Sequence, residues 1–159
     1  MELTEAAPPA GRARRALLRR LADVVCLPSS RVNGFERAMT GDLLVEMLRE
    51  AAPSDRERVA NRLSTLGDIP SPLLRLLMRD EPRIARPLLE ECPHLTDSDL
   101  IGCAREAETE HRWMMARRRH VSEVVSEALV ELQEPRVIEA LLTNTGAKLI
   151  MVETAEDVE

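Results

Sequence analysis

Tyrosine is absent from this chain, and Phe35 and Trp113 are its only phenylalanine and tryptophan. A core with so few rings must be built from Leu, Val, Ile, Met and Ala, which suits small helical units packed closely together. Lysine is nearly absent too. Lys148 is the single lysine among 22 basic residues, and codon usage in a GC-rich bacterial genome is the plain account of that bias. Cys26, Cys92 and Cys103 are odd in number and include no Cys-x-x-Cys pair. That spacing argues against a disulfide framework or a zinc finger and for reduced, partly buried thiols. No run reaches the roughly 18 apolar residues of a membrane span. The first residues, Met1 to Glu5, carry acid and lack the apolar stretch of an export signal, so the expected address is the cytoplasm. A Gly-x-Ser-x-Gly elbow and a glycine-rich phosphate loop are both missing. The sequence therefore points to a protein without enzymatic activity and without a cofactor.

What the chain has is a repeat. The stretch from Leu76 to Glu90 returns as Leu129 to Thr143, with Leu, Glu-Pro-Arg and Leu-Leu in register and Ile84 answered by Val137. Self-similarity of this kind marks stacked units, each of which buries its apolar face only against its neighbours. Helices that open near Asp55, Pro82, Thr109 and Pro135 are spaced by roughly 26 to 27 residues, shorter than the usual armadillo or HEAT unit. The expected fold is all-α, a right-handed α-solenoid of stacked helical hairpins. Its expected organisation is a loose tail over 1–11, one helical-repeat domain over 12–146, and a capping segment with an acidic tail over 147–159.

Local signals place the helices. Arg12 to Cys26 has helical spacing, with Ala13, Leu17, Leu21, Val24 and Val25 on one side and arginines on the other. Asn33 to Glu36 and Ser54 to Glu57 read as capping boxes. Leu43, Leu44, Met47 and Leu48 form the expected buried stripe of the helix between them, and Pro53 its stop. Val59, Ala60, Leu63 and Leu66 line the next helix, with Gly67 as a left-handed C-terminal cap. Ser71 before Pro72 reads as a helix start, as do Glu81-Pro82, Thr96 to Asp99, Ser122 and Glu134-Pro135. Val124, Val125, Ala128, Leu129 and Leu132 are the apolar positions after Ser122. Pro87 lies inside a helix, where it removes a backbone bond and would bend the array. Gly102, in a helix interior, suggests close helix–helix approach. Leu149 to Val152 form an apolar run that could fold back over the last hairpin on a turn at Gly146.

These residues resemble a bacterial family of short HEAT-like helical repeats, a domain of unknown function. The likeness begins at Leu21-Ala22-Asp23 and continues through Val59-Ala60 and Arg62-Leu63. It is clearest at Ile84-Ala85 with Pro87-Leu88-Leu89, and at Leu95, Asp97 and Asp99-Leu100. It runs on through Ala116, Arg118, Val121-Ser122, Ser126 and Ala128-Leu129-Val130 to Asn144 and Ala147, so it covers most of residues 12 to 149. Met114-Met115 departs from the small aliphatic pattern before Ala116. The resemblance implies an all-α repeat fold and no activity, substrate or catalytic residue.

Two chemical readings remain. Glu91-Cys92-Pro93-His94 and Glu108-Thr109-Glu110-His111 both have the Glu-x-x-His spacing of di-iron bundles. Pro93 spoils the helical geometry of the first, and solvated helix-end residues explain both, so no metal is expected. Net charge is −6, yet arginines cluster. Arg79, Arg83, Arg86, Arg112, Arg117, Arg118 and Arg119 are the candidate partner-binding residues. On the leading reading they belong to a scaffold that binds a protein. On the alternative they form a basic concave face that contacts nucleic-acid phosphates. The net negative charge and the shortage of stacking aromatics favour the protein partner. A membrane-bound Arg12 to Arg20 helix is not expected, and the chain is read as a monomer or homodimer.

Overall fold

The computed structural model describes residues 9–149, with backbone alone for residues 9 and 10. Among them the chain forms α1 (Pro9–Val25), α2 (Gly34–Leu48), α3 (Pro53–Leu63), α4 (Ser71–Met78), α5 (Pro82–Glu91), α6 (Asp97–Glu106), α7 (Thr109–Ala116), α8 (Glu123–Glu131) and α9 (Pro135–Thr143). One isolated parallel bridge joins Val121 to Ala147. The fold is all-α.

Packing skips one helix at a time. α3 lies on α5, α5 on α7 and α7 on α9, while α2 lies on α4, α4 on α6 and α6 on α8. α4 meets α5, α6 meets α7 and α8 meets α9 across the two rows, and α1 packs against α2. A single apolar cluster runs the length of the chain, from Leu18 and Leu44 through Leu77 and Leu88 to Leu129 and Leu141. Met114 and Met115 are both buried in it. Unbranched thioether side chains fill irregular gaps, so the departure from small aliphatics costs no packing.

Local chemistry sets most helix starts. Asn33 accepts from the Glu36 amide at 2.7 Å and its own amide donates to the Glu36 carboxylate at 3.0 Å. Thr96 and Asp99 repeat this box at 3.0 Å in both directions. Ser122 accepts from the Val125 amide at 3.3 Å. Each such cap is worth about 1 kcal/mol. α3, α5 and α9 instead place a proline in the first turn, where a missing N–H costs nothing.

Several expectations shift. α1 begins at Pro9, so residues 9–11, expected in the tail, are helical; a proline is preorganised for a helix's first turn. Its core face is Leu18, Ala22 and Val25, not the face centred on Leu17, which is half-exposed. Pro53 opens α3 rather than closing α2, so Ser54 is no cap. Pro70, not Ser71, is the N-cap of α4. Gly67 is not left-handed; the residue with positive φ is Gln133, at 56°, which ends the turn after α8 and leads into Glu134. Val124 and Leu132 are exposed, as is Leu43. Pro87 is buried within α5, which runs on to Glu91.

After α9 the chain returns to the loop before α8. The Val121 amide donates to the Gly146 carbonyl at 3.0 Å and the Lys148 amide to the Val121 carbonyl at 2.8 Å. Gly146 is needed here for space rather than for an unusual φ: an added Cβ would lie 1.7 Å from the Arg119 carbonyl oxygen. Leu149 packs half-buried against the core. Ile150 to Val152, the rest of the expected capping run, lie outside the described residues, as do residues 1–8 and the acidic tail.

Two helical glycines give opposite expectations. A Cβ at Gly41 would meet Pro70 Cβ and Cγ, both at 2.8 Å, and a proline ring cannot swing away. A Cβ at Gly102 would meet only the end of the Arg79 guanidinium at 3.4 Å. Ala in place of a helix-interior Gly gains about 1 kcal/mol when space allows. Urea denaturation should therefore show Gly102→Ala more stable than the parent and Gly41→Ala less stable, despite the same gain in propensity.

Candidate interaction surface and the arginine network

The candidate arginines do not form one free basic stripe. Arg79 pairs with Glu106. Arg83 pairs with Glu57 at 3.4 Å, Arg86 with Glu90 at 3.1 Å and Arg117 with the same Glu90 at 2.9 Å. Arg119 is exposed on the loop after α7. Arg112 and Arg118 are turned inward, and these two define what the arginines do.

Arg118 is buried. Its guanidinium donates to the carbonyls of Leu89 at 2.7 Å and Cys92 at 2.7 Å, the C-terminal end of α5. A helix end leaves carbonyls unpaired and carries partial negative charge, so a cation that donates to them fills both needs. Burial nevertheless pushes the Arg118 pKa down from its usual value. Arg37 repeats the device earlier in the chain, donating from a buried position to the Val25 and Leu27 carbonyls, at 2.6 and 2.9 Å, after α1. Asn144 does the same for α7, donating to the Ala116 and Arg118 carbonyls at 2.8 and 2.7 Å.

Arg112 and Arg56 add a second grip. Arg112 donates to the Ala104 and Ala107 carbonyls at 2.8 and 2.7 Å, closing α6. With its other nitrogens it holds Glu134 in both oxygens, at 2.6 and 2.7 Å. Arg56 closes α2 at the Ala51 carbonyl, 2.7 Å, and holds Asp80 at 2.7 and 3.2 Å. The return pairs run the other way: Arg83 to Glu57 at 3.4 Å, and Arg136 to Glu110 at 2.6 Å. Crossed arginine–carboxylate pairs thus lock α3 to α5 and α7 to α9. The interface of α5 with α7 is different. There Arg118 caps α5, Arg117 reaches Glu90, and His111 meets the Asp80 carbonyl. Two kinds of interface alternate along α3, α5, α7 and α9, and the Glu-Pro-Arg of the sequence echo supplies Arg83 and Arg136.

The Glu-x-x-His pairs fall into this scheme as structural groups. His111 is buried; its Nδ1 accepts from the Glu108 amide at 3.3 Å, which leaves the proton on Nε2, 2.7 Å from the Asp80 carbonyl. Glu91 and His94 are both exposed, while Cys92 between them is buried. Among the described residues no three His, Cys, Asp or Glu side chains gather as a metal site. Burial pushes the Cys103 thiol up to about 11, and it donates to the Met78 carbonyl at 3.4 Å, so it is a small buried donor and not a nucleophile. Trp113 is clasped between Arg117 and Arg136, whose guanidinium carbons lie 4.4 and 4.1 Å from the ring centre.

An exposed apolar surface lies on α2, and of its residues Leu43 was expected in the core. Phe35, Met39 and Leu43 are 73%, 51% and 56% exposed. They are four residues apart, so they share one side of α2. Met47, the next in the series, enters a cleft with Leu18 and Ala51. Asp42, Glu46 and Glu50 are exposed along the same helix and just past its end. An apolar stripe with acidic surroundings faces outward on α2. The signal was in the sequence, since α2 carries apolar residues on two sides; nothing in the spacing says which side is inside.

Residues 84–155 match the model of a family described as "Uncharacterised protein conserved in bacteria (DUF2336)". The match begins in α5 and covers the C-terminal part of the chain, in agreement with the resemblance drawn from the residues there. No curated protein and no solved structure matches the chain. No helix among the described residues is long and apolar enough to cross a membrane.

The Arg112–Glu134 pair has a testable pH signature. The hydrogen bonds from Arg112 hold the Glu134 carboxyl below its usual value. A lowered folded pKa stabilises fully above the unfolded value, about 4.3, and that stability is lost as pH falls through the folded value. Thermal melts should show Glu134→Gln less stable than the parent at pH 7, with the gap closing below about pH 4 as the parent's Glu134 is protonated. Arg112→Ala, which also strips the end of α6, should cost about 2–3 kcal/mol at pH 7.

Proposed function

We propose that the two rows of helices are a right-handed, HEAT-like α-solenoid and that the chain is a non-enzymatic protein-interaction module. The skipping contact pattern supports the solenoid: α3, α5, α7 and α9 begin at residues 53, 82, 109 and 135. Such a row lets surface positions vary without touching the core. The observation that carries the interaction reading is the Phe35, Met39 and Leu43 stripe. Phe35, the chain's single Phe, is the most exposed large hydrophobic residue among the described residues. Adjacent exposed apolar side chains on one helix mark a contact surface. A helix ridge of this kind seats an amphipathic helix of a partner, one of whose basic side chains would meet Asp42. A phosphate-binding stripe needs free guanidinium groups, and here Arg79, Arg83, Arg86, Arg112 and Arg117 lie in ion pairs while Arg118 is buried.

The test is Phe35→Asp with Leu43→Asp in the full chain. Exposed positions tolerate such changes within about 0.5 kcal/mol each, so the melting temperature should barely move. The affinity for a protein partner isolated with the parent chain should fall at least about tenfold. Unchanged affinity for that partner would move the interaction away from α2. Duplex DNA binding at physiological salt, steeply weakened by added salt, would support the nucleic-acid reading instead.

A further inference from the structure

The end of α5, the loop after α7 and the chain returning past Gly146 border a cavity of about 830 Å³. That lies within the range of small-molecule sites, roughly 300–1,000 Å³. We infer that this cavity binds a phosphate monoester against Arg118, Arg119, His120 and Lys148. The site is separate from the α2 stripe, so the two readings stand or fall independently.

The first support is an unanswered charge. Arg118 lines the cavity and is only 7% exposed. Its terminal nitrogens donate to carbonyls at the end of α5, but its buried Nε has no hydrogen-bond partner among the described residues. No carboxylate pairs with it there, and burial pushes its pKa down. Carbonyl dipoles satisfy donors without neutralising a full charge, and a buried cation that lacks a counter-ion is costly.

The second support is the balance of charge. Arg119, His120 and Lys148 line the cavity, are exposed, and make no ion pair among the described residues. Two carboxylates line it as well. Glu90 is already held by Arg86 and Arg117, whereas Glu91 is exposed and makes no ion pair among the described residues. The three permanent cations, Arg118, Arg119 and Lys148, set against Glu91 leave an excess of two positive charges, in a chain whose net charge is −6. A phosphate monoester carries about −1.5 to −2 at neutral pH, which matches that excess better than a singly charged carboxylate does. Arginine's planar fork also fits its oxygens. The third support is the rest of the wall: Leu95, Leu100 and Val121 offer apolar surface for the organic part of the ester.

Calorimetric titration of the full chain with phenyl phosphate tests this, beside a phosphoserine peptide and its unphosphorylated form. The expected result is saturable binding of phenyl phosphate with Kd below about 1 mM, and a melting temperature that rises with the ligand. Tighter binding of the phosphopeptide, with none of the unphosphorylated form, would support the same site and place the monoester on another protein. Arg119→Ser with Lys148→Ser alters only exposed side chains, so the melting temperature should hold while affinity falls at least about tenfold. Glu91→Gln, which removes the opposing charge, should tighten binding about threefold. Arg118 stays in place throughout, because its loss would strip the end of α5. The inference is overturned if neither phosphate binds saturably, if binding survives the changes at Arg119 and Lys148, or if benzoate binds as tightly as phenyl phosphate.

Discussion

Helix ends, more than helix faces, set the constraints on this protein. Every helix leaves carbonyls unpaired at its C-terminus, and most of these helices are only eight to eleven residues long. A large share of the backbone therefore lies in last turns. Where a following helix or loop covers those turns, water cannot satisfy them. Arg37, Arg56, Arg112 and Arg118 answer this with side chains from a later helix or, for Arg118, the loop that follows α7. Arginine suits the task because its flat fork can donate to two or three carbonyls at once and still hold a carboxylate. A lysine ammonium is a point donor with a stronger hydration shell. At these four positions the geometry favours arginine over lysine.

The same fork also joins α7 to α9. Arg112 closes α6 within its own unit and grips Glu134 in front of the next. Arg136, two residues after Glu134, reaches back to Glu110. One short segment thus receives one bond and returns another, and the pair fixes both the separation and the rotation of α7 against α9. Arg56, Asp80, Arg83 and Glu57 do this for α3 and α5. Between α5 and α7 a buried guanidinium and a buried imidazole replace the crossed pairs. The two crossed interfaces both use the Glu-Pro-Arg that occurs at residues 81–83 and again at 134–136.

The sequence showed the fold more readily than the site, for reasons visible residue by residue. Helix starts were legible because capping is local: Asn33 and Glu36, Thr96 and Asp99, and the prolines that open α5 and α9 all act within four residues. Helix stops were less so. Pro53 ends one helix or opens another with equal ease, and Gly67 signals a left-handed turn that the chain makes at Gln133. The arginines misled because a guanidinium reads the same whether it faces water or a helix end. What decides is an acceptor some 20 to 40 positions away, such as Leu89 for Arg118 or Glu134 for Arg112. Spacing cannot reveal that, except through the echo that placed a Glu-Pro-Arg at both Arg83 and Arg136.

α2 shows where periodicity runs out as a guide to function. Its buried side is Gly41, Leu44, Val45 and Leu48, and its outward side is Phe35, Met39 and Leu43. Both sets obey helical spacing, so a single apolar stripe drawn through the sequence mixes them, as the grouping of Leu43 with Leu44 did. Gly41 breaks the tie. It is the one position on α2 where a side chain would strike another helix's cap, Pro70, and that contact turns its side of α2 inward. With that side fixed, Phe35 must point away from the core. A helix that needs a glycine on one face for packing and keeps a phenylalanine on the other, uncovered, is constrained twice. Packing among the described residues explains only the first constraint.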